Sequence, residues 1–296
     1  MSYAARTTAV TATSETRRRR VCGAQVLRQV LAHLVLLAGA TTMVIPMAWM
    51  VSTSLKEEGA VFTYPLRWIP HPFAWENYVR VFQVEPFARY MANTFLYAGL
   101  STVGQILTCS MAAYAFARLR FRGRNLIFIA LLATLMIPGQ VTVIPTFIIM
   151  KYLGWVDSFK PLIIPNWAGG AFGTFLLRQF FLTIPAELMD AAKIDGCNFY
   201  GIYARIFMPL AGPALATLGV FTFMWSWNDL FGPLIYLNTP SKYTVSIGLA
   251  FFQSVHYNAW SLLMAGSLIS LLPIITLYLV AQKYFVQGIV TSGLKR

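Results

Sequence analysis

Charged residues divide the chain into long apolar intervals. Six intervals between consecutive charged residues reach the roughly 17 to 25 residues that a helix needs to cross the hydrocarbon of a bilayer. The last interval is longer than one helix, and its portion 253–258 reads as a loop, so the sixth helix is expected near 262–282. The pattern therefore predicts an all-α polytopic membrane protein with six transmembrane helices. The intervals are 29–55, 90–117, 125–150, 161–177, 206–228 and 243–282.

The composition agrees with a chain whose main solvent is lipid. Hydrophobic residues make up 57% of the sequence and charged residues 11%, with a mean hydropathy of +0.61, values typical of membrane proteins. The net charge of +13 does not indicate nucleic acid as a partner, because the cations lie in clusters between apolar runs and form no basic face. Three cysteines and three histidines show no disulfide or metal-ligand spacing, so neither is assigned.

The positions of Lys and Arg predict the orientation in the membrane. If the N-terminus is cytoplasmic, sixteen of the 23 Lys and Arg residues lie inside and seven outside, as the positive-inside rule favours. The opposite orientation would place the cluster of Arg118, Arg120, Arg122 and Arg124 outside. Both termini are therefore expected in the cytoplasm.

The first residues differ from the rest of the chain. Residues 1–28 are rich in Ala, Thr and Arg, which predicts a disordered basic cytoplasmic tail. The apolar run that follows is longer than the central region of a signal peptide and ends without a small-residue cleavage site, so an uncleaved first helix is expected. We place the boundary of the six-span domain at residue 29, giving a domain of 29–296.

A polar segment at 184–209 interrupts the apolar pattern after the fourth interval. Pro185 suits the first turn of a helix and Gly196 suits the left-handed residue just past its end, which predicts about three helical turns between them. The i, i+3, i+4 and i+7 spacing places Leu188, Ala191, Ala192 and Asp195 on one face. Glu187 also complements the helix dipole, so its charge has a structural reading as well. Two small alanines would allow a partner to approach closely.

The segment resembles the signature of ATP-binding-cassette importer permeases, usually written E-A-A-x-x-D-G-x(9)-I-x-L-P. The chain reads Asp-Ala-Ala-Lys-Ile-Asp-Gly at 190–196, then nine residues, then Ile-Phe-Met-Pro at 206–209. All spacings agree, while Asp190 replaces Glu and Met208 replaces Leu. In the family this segment is the coupling helix that docks on the ATPase subunit. The resemblance assigns ATPase coupling to Glu187, Asp190, Ala191, Ala192, Asp195, Gly196, Ile206 and Pro209.

Later motifs extend the resemblance to the smaller permease subunit of maltose-type carbohydrate importers. They are the segments 227–234, 263–266, 283–288 and 292–295. The resemblance implies the type I importer permease fold in the cytoplasmic (inner) membrane of a prokaryote. It also implies a second homologous permease, an ATPase dimer, an extracytoplasmic solute-binding protein and a sugar as partners, beside membrane lipid. The loop 238–260 would face the binding protein.

The sequence lacks the phosphate-binding motif G-x-x-x-x-G-K-[ST]. We therefore expect no enzyme activity and no cofactor on this chain, with ATP and Mg on the partner ATPase. A glycerol phosphodiester or polyol in place of sugar is the alternative within the same architecture. A secondary transporter is a further alternative, but it would leave the coupling motif unexplained.

Polar residues in or beside the spans are candidates for the substrate pathway, because an unsatisfied polar atom is expensive there. Hydrogen bonds between helices are the alternative reading. The candidates are Asn93, Asn166, Asn228 and Asp229. The aromatic residues Phe221, Phe223, Trp225 and Trp227 could stack on sugar rings or pack against lipid and core. The outer segment 56–89, rich in Pro, Trp and Tyr, reads as an interfacial belt, a partner-binding loop, or both.

Overall fold

The computed structural model describes the backbone of residues 4–253 and 259–293, and the side chains of 25–253 and 259–283. These described residues form α-helices joined by short 3₁₀ and irregular turns, without a strand element. The helices are α1 (Ala4–Ser54), α2 (Asn77–Val84), α3 (Phe87–Arg118), α4 (Arg124–Ala133), α5 (Gly139–Tyr152), α6 (Lys160–Ile163), α7 (Ala171–Thr183), α8 (Ala186–Ile194), α9 (Phe199–Ile202), α10 (Met208–Leu210), α11 (Gly212–Asn228), α12 (Phe231–Tyr236), α13 (Val245–Phe251) and α14 (Trp260–Gly293).

Three unbroken stretches of helix are long and apolar enough to cross a membrane. They are Gln25–Ser54, Phe87–Arg118 and Trp260–Lys283, and they correspond to the first, second and sixth predicted intervals. Two pairs of bent helices would raise the number to five within the described residues, if each pair is one span. The all-α prediction is confirmed for these residues, whereas the count of six is not.

The third and fifth predicted intervals are not straight helices. The axis turns by 101° between Arg124–Met136 and Gly139–Tyr152. Pro138 stands at this break with an extended backbone, ψ 130°, and it also lacks the amide hydrogen that would continue the helical ladder. The axis turns by 78° between Phe199–Leu210 and Gly212–Asn228. The prediction of a fifth helix over 206–228 is therefore wrong at its start.

The fourth predicted interval, 161–177, is broken in the middle. Helix α6 passes into a 3₁₀ segment, Ile164–Ala168, and Gly169 then adopts φ +80°. Helix α7 begins at Ala171 and has 13 residues, so it extends only about 20 Å. A glycine with positive φ reverses the chain at low cost, and this change of direction does not show in a count of uncharged residues.

Helix α1 begins before the predicted domain boundary. The backbone of residues 4–28 continues α1 as helix, where the composition predicted a disordered tail and a boundary at residue 29. The segment contains no proline, and its Ala and Arg residues have high helix propensity, so an existing helix can be extended through it. Beyond this tail, the apolar side chains of 25–54 are largely exposed and α1 packs against α14. A helix that exposes apolar residues on most sides fits lipid as its solvent.

Helix α3 lies at the centre of the fold and packs against α7 and α11. One core cluster joins these three helices around Leu177, Phe181, Phe207 and Leu218, which are all fully buried. Gly104 of α3 leaves room for the ring of Trp167 in the 3₁₀ segment, because a Cβ atom at this position would lie 2.0 Å from that ring. Small residues serve in this way at helix contacts in membranes.

The carboxylate of Asp157 joins the connection after α5 to the connection after α12, in a contact that we call the carboxylate lock. Asp157, at φ 58°, accepts hydrogen bonds from the backbone N–H groups of Asn238 and Thr239, both at 3.0 Å. The Oδ2 atom also accepts the Thr239 hydroxyl at 2.6 Å and lies 2.7 Å from Nζ of Lys242. These donors hold the pKa of the Asp157 carboxyl well below its usual range, with the Lys242 contact as the largest cause. The lock orders the start of the loop expected to face the binding protein; residues 254–258 of that loop lie outside the described part.

We expect Asp157→Asn to lower the melting temperature of the detergent-purified chain at pH 7. Charge-assisted hydrogen bonds contribute about 1.5–3 kcal/mol each, and the partial exposure of this site reduces the net effect to about 1–2 kcal/mol, or about 2–8 °C. Because the pKa is depressed on folding, the ionised carboxylate stabilises the protein above pH ~4 and this contribution fades as pH falls through the folded pKa. The gap between the two proteins should therefore shrink below pH ~4.

The control is Asp190→Asn, which removes a carboxylate with one exposed ion pair at 3.0 Å. Thermal unfolding followed by circular dichroism would compare the three proteins. Equal melting temperatures of Asp157→Asn and Asp190→Asn at pH 7 would contradict the stabilising role of the lock.

Candidate functional site

Helix α8 carries four of the eight predicted coupling residues, Glu187, Asp190, Ala191 and Ala192, and has firm stops at both ends. Pro185 directly precedes the helix with an extended backbone, ψ 140°, one residue earlier than the predicted first turn. At the other end Gly196 adopts φ +79°, as predicted. The N–H of Cys197 donates to the carbonyl of Ala192 at 2.9 Å and that of Gly196 to Lys193 at 3.0 Å, which is a Schellman cap. The helix has nine residues, about 2.5 turns.

Almost the whole circumference of α8 is exposed. Ala192 is its one buried residue, at 6% exposure, and it packs into the core cluster of α3, α7 and α11 beside the half-buried Met189. Leu188, Ala191 and Asp195 are exposed, although the helical spacing placed them on one face with Ala192. That predicted face is therefore split, because the helix turns Ala192 alone toward the core.

The acidic residues of α8 differ in their surroundings. Glu187 lies exposed in the first turn, where a negative charge complements the helix dipole. Asp190 accepts from Nζ of Lys193 at 3.0 Å. Asp195 stands at the C-terminal end, where a carboxylate faces the negative end of the dipole and costs a few tenths of a kcal/mol. Helix stability alone therefore does not account for an acid at Asp195.

The segment after α8 is anchored to the helices of the core. The side chain of Asn198 accepts a hydrogen bond from the N–H of Gly201 at 2.8 Å and begins α9, which passes into a π-helix at Tyr203–Phe207. The hydroxyl of Tyr203 lies 2.7 Å from that of Ser110 on α3. Ile206 packs half-buried against the core, while Pro209 is exposed in α10 just before the 78° bend.

Arg118 makes a contact that sequence reasoning missed, since its charge was read only as an orientation signal. As the last residue of α3, it donates through Nη2 to the carbonyl of Phe181 at 2.6 Å and to the carbonyl of Ile184. These carbonyls lie at the C-terminal end of α7, which favours a positive charge. The guanidinium also lies 5.3 Å from the ring centroid of Phe207. Arg118 thus joins α3, α7 and the segment after α8, and it lines the same cavity as residues of α8.

Three of the four candidate pathway residues make hydrogen bonds to other elements of the chain. Asn93 donates to the carbonyls of Ser241 and Tyr243 at 3.0 and 2.9 Å, and Asn166 donates to Leu162 at 2.8 Å and to Ser101 at 3.3 Å. Asp229 accepts the Tyr97 hydroxyl and the Gly232 N–H, both at 3.0 Å.

Asn228 differs because it is exposed and uses its amide nitrogen only for the Met224 carbonyl of its own helix, at 2.8 Å. The side chains of Asn93, Asn166 and Asp229 are thus used within the fold. Asn228 alone combines exposure with an amide oxygen that makes no hydrogen bond within the described residues.

The aromatic residues of α11 divide into two sets. Phe223 and Trp227 face inward and stack at 5.4 Å between centroids, with Trp227 1% exposed. Phe221 and Trp225 are 42% and 60% exposed, because two residues rotate a helix by about 200°. Phe221, Trp225 and Asn228 share one outward face at i, i+4 and i+7, which we call the α11 outer face.

Comparisons with known proteins agree with this architecture. Residues 105–291 match the family described as binding-protein-dependent transport system inner membrane component. The chain is 34% identical over 82% of its length, and 86% of the relative, to the arabinooligosaccharides transport system permease protein AraQ of Halalkalibacterium halodurans. It is 32% identical over 89% of its length, and 96% of the relative, to the sn-glycerol-3-phosphate transport system permease protein UgpE of Yersinia pestis.

A solved structure has the same fold. It is the crystal structure of a bacterial ABC transporter involved in the import of the acidic polysaccharide alginate, matched with a TM-score of 0.78 and 26% sequence identity. The match covers 88% of this chain and 96% of that chain.

We expect Arg118→Lys to lower the melting temperature of the purified chain by several degrees. Lysine keeps the positive charge but cannot present a planar fork to two carbonyls, and a lost charge-assisted bond costs about 1.5–3 kcal/mol. The control is Arg122→Lys on the same connection, where the arginine is exposed. If both variants melt at the same temperature as the unmodified chain, Arg118 contributes charge only.

Proposed function

The chain belongs to the family of binding-protein-dependent transport system inner membrane components, among the permeases of sugar ABC importers, and from this premise we propose that it forms half of the translocation pathway of an ATP-driven importer. The other half is a second homologous permease. The observation that carries this proposal is the exposed helix α8, fixed at both ends and held to the core by Ala192. The exposed side chains of such a helix form a surface on which a partner can dock.

The proposed partner of α8 is an ATPase subunit. Ala191 and Gly196 offer a small surface that allows close approach, and Glu187 and Asp195 flank it with negative charge. The position of Asp195 is unfavourable for the isolated helix, which supports a role toward a partner. ATP and Mg are then bound by the ATPase dimer, while this chain contributes no catalytic residue.

Movement of α8 would be transmitted into the membrane by the contacts around it. Ala192 and Met189 press on the core cluster, Tyr203 is tied to Ser110 of α3, and Arg118 holds the end of α7. A displacement of the coupling helix therefore acts on α3, α7 and α11 together. This suits the rigid-body tilting by which a transporter alternates between inward-facing and outward-facing states.

The topology of the proposal places α8 in the cytoplasm. The three long helices and two bent pairs supply five crossings, and the broken stretch 160–183 supplies a sixth in this proposal. Six crossings put both termini on the same side of the membrane, and the excess of Lys and Arg favours the cytoplasmic side. The outer segment 56–89 and the Asp157-locked loop would then face the solute-binding protein.

The α11 outer face is the proposed lining of the pathway. Aromatic faces stack on sugar rings, and the free amide oxygen of Asn228 accepts hydroxyl hydrogen bonds. Asn93, Asn166 and Asp229 instead support the architecture that carries this face.

The cargo is proposed to be a carbohydrate. A glycerol phosphodiester or polyol is the second candidate, favoured by the similarity to the sn-glycerol-3-phosphate permease. Both classes offer hydroxyl groups of the kind that the α11 outer face would accept.

A first prediction tests coupling through Ala191→Leu. The added side chain meets solvent in the isolated chain, so folding should be preserved, but it should obstruct a closely docked partner. Obstruction of about 1.4 kcal/mol lowers an affinity tenfold. We expect a fall of about tenfold or more in substrate-stimulated ATP hydrolysis by the reconstituted complex of both permeases, ATPase and binding protein.

The matched control is Ala204→Leu, which enlarges an exposed alanine outside α8, in the nine-residue spacer of the motif. Unchanged stimulated hydrolysis in Ala191→Leu would reject α8 as the docking element. A fall of the same size in both variants would reject its specificity.

A second prediction tests the pathway through Trp225→Ala. Loss of one aromatic stacking contact of about 0.5–1.5 kcal/mol should raise the apparent KM of sugar uptake about two- to tenfold. Trp225→Phe should recover most of the affinity. Leu234→Ala on α12 is the control, since Leu234 is also 60% exposed. Similar uptake curves for Trp225→Ala and Leu234→Ala would count against a pathway role.

A further inference from the structure

A cavity lies between the connection after α3 and the side of α8. Its volume is about 880 Å³, well above the share of a single water molecule. A second cavity of about 420 Å³ adjoins it, and both share Arg120, Phe121 and Arg124 as lining residues. Together they form a continuous basic groove, which we call the α3–α8 groove.

The charges of the α3–α8 groove are strongly unbalanced. Arg118, Arg120, Arg124 and Lys193 line the larger cavity, and Asp190 is the one acid in its lining. Asp190 pairs with Lys193 at 3.0 Å, so no acid of the lining is left to balance the charges of the three arginines. Guanidinium groups bind phosphate oxygens through paired N–H donors.

The three arginines differ in how far hydrogen bonds to the protein fix their guanidinium groups. Arg118 is fixed by the carbonyls of Phe181 and Ile184, and Arg124 donates through Nη1 to the carbonyl of Leu119 at 3.2 Å. Arg120 is exposed and makes no hydrogen bond within the described residues. Its guanidinium is therefore available for a ligand that the other two arginines attract.

Much of the rest of the lining is apolar, and in the proposed topology the groove lies at the cytoplasmic ends of α3 and α7. Leu119, Phe121 and Met189 contribute to the larger cavity. Arg124 begins α4, in which Leu126 is 72% exposed and Ile129 62% exposed, so apolar side chains suited to lipid stand next to the groove. A ligand held here would have its charge among arginines and its apolar part beside α4.

We propose that the α3–α8 groove binds the phosphate of an anionic phospholipid headgroup, next to the helix that couples this chain to its partner. A soluble phosphate shares the anionic chemistry, but the apolar lining and the exposed α4 favour the lipid. Anionic headgroups are attracted to basic groups on the cytoplasmic side of membrane proteins. Lipid binding at this place needs neither a transported solute nor ATP, so it is testable apart from the proposed transport function.

The test compares Arg120→Gln with Arg122→Gln. The two substitutions remove the same charge from the same connection, but Arg122 does not line either cavity. The full-length chain is titrated with phosphatidylglycerol or phosphatidylcholine, and bound lipid is counted by native mass spectrometry. We expect Arg120→Gln to weaken phosphatidylglycerol binding about tenfold and Arg122→Gln to change it less than twofold, with unchanged melting temperatures.

A second variant separates the lipid from free phosphate. Phe121→Ala removes apolar lining and should weaken phosphatidylglycerol binding while the arginines remain. Equal effects of Arg120→Gln and Arg122→Gln would overturn the site in favour of diffuse attraction. Displacement of phosphatidylglycerol by millimolar inorganic phosphate, or indifference to Phe121→Ala, would overturn the lipid assignment.

Discussion

The fold depends on one intact helix that satisfies the polar groups of the broken helices around it. Inside a bilayer, interrupted helices leave carbonyl and amide groups without water, and each must find a partner in the protein. Helix α3 provides several. Asn93 donates hydrogen bonds to the carbonyls of Ser241 and Tyr243, and the hydroxyl oxygen of Thr94 accepts one from the N–H of Val245 at 2.9 Å. Farther along, Cys109 donates to the carbonyl of Gly170 and Arg118 to those of Phe181 and Ile184. The chain can be interrupted between α6 and α7 and between α12 and α13 because α3 is unbroken and supplies these partners.

The same arrangement explains the position of the surface that we propose for docking. The end of α3 fixes the end of α7, and α8 follows after Pro185 with only Ala192 buried. A helix that is weakly buried but held by rigid neighbours can present a large surface without losing its position. The α11 outer face is placed similarly, since the inward stack of Phe223 and Trp227 fixes the helix that displays Trp225.

Local signals in the sequence were sufficient for some features and insufficient for others. The left-handed residue at Gly196 follows from its place after a helical segment, and the long apolar runs of α3 and α14 follow from length alone. The bends at Pro138 and between α10 and α11 do not follow from uncharged runs, because charge marks where a run ends and not where its axis turns. The partners of Arg118 lie 63 and 66 residues away in sequence, beyond the reach of any local pattern. The four aromatics of α11 looked equivalent by alternation, and packing separated them into two pairs.

The two ends of α8 set its length as firmly as its composition. Pro185 prevents the helix from starting earlier, and the left-handed Gly196 prevents it from running on. Each inserted or deleted residue between them would rotate every later side chain by about 100° around the axis, moving Ala192 out of the core. Substitutions at the exposed positions leave that register intact. Over evolutionary time this segment can therefore diverge by replacement, whereas insertions and deletions must be confined to the connections outside it.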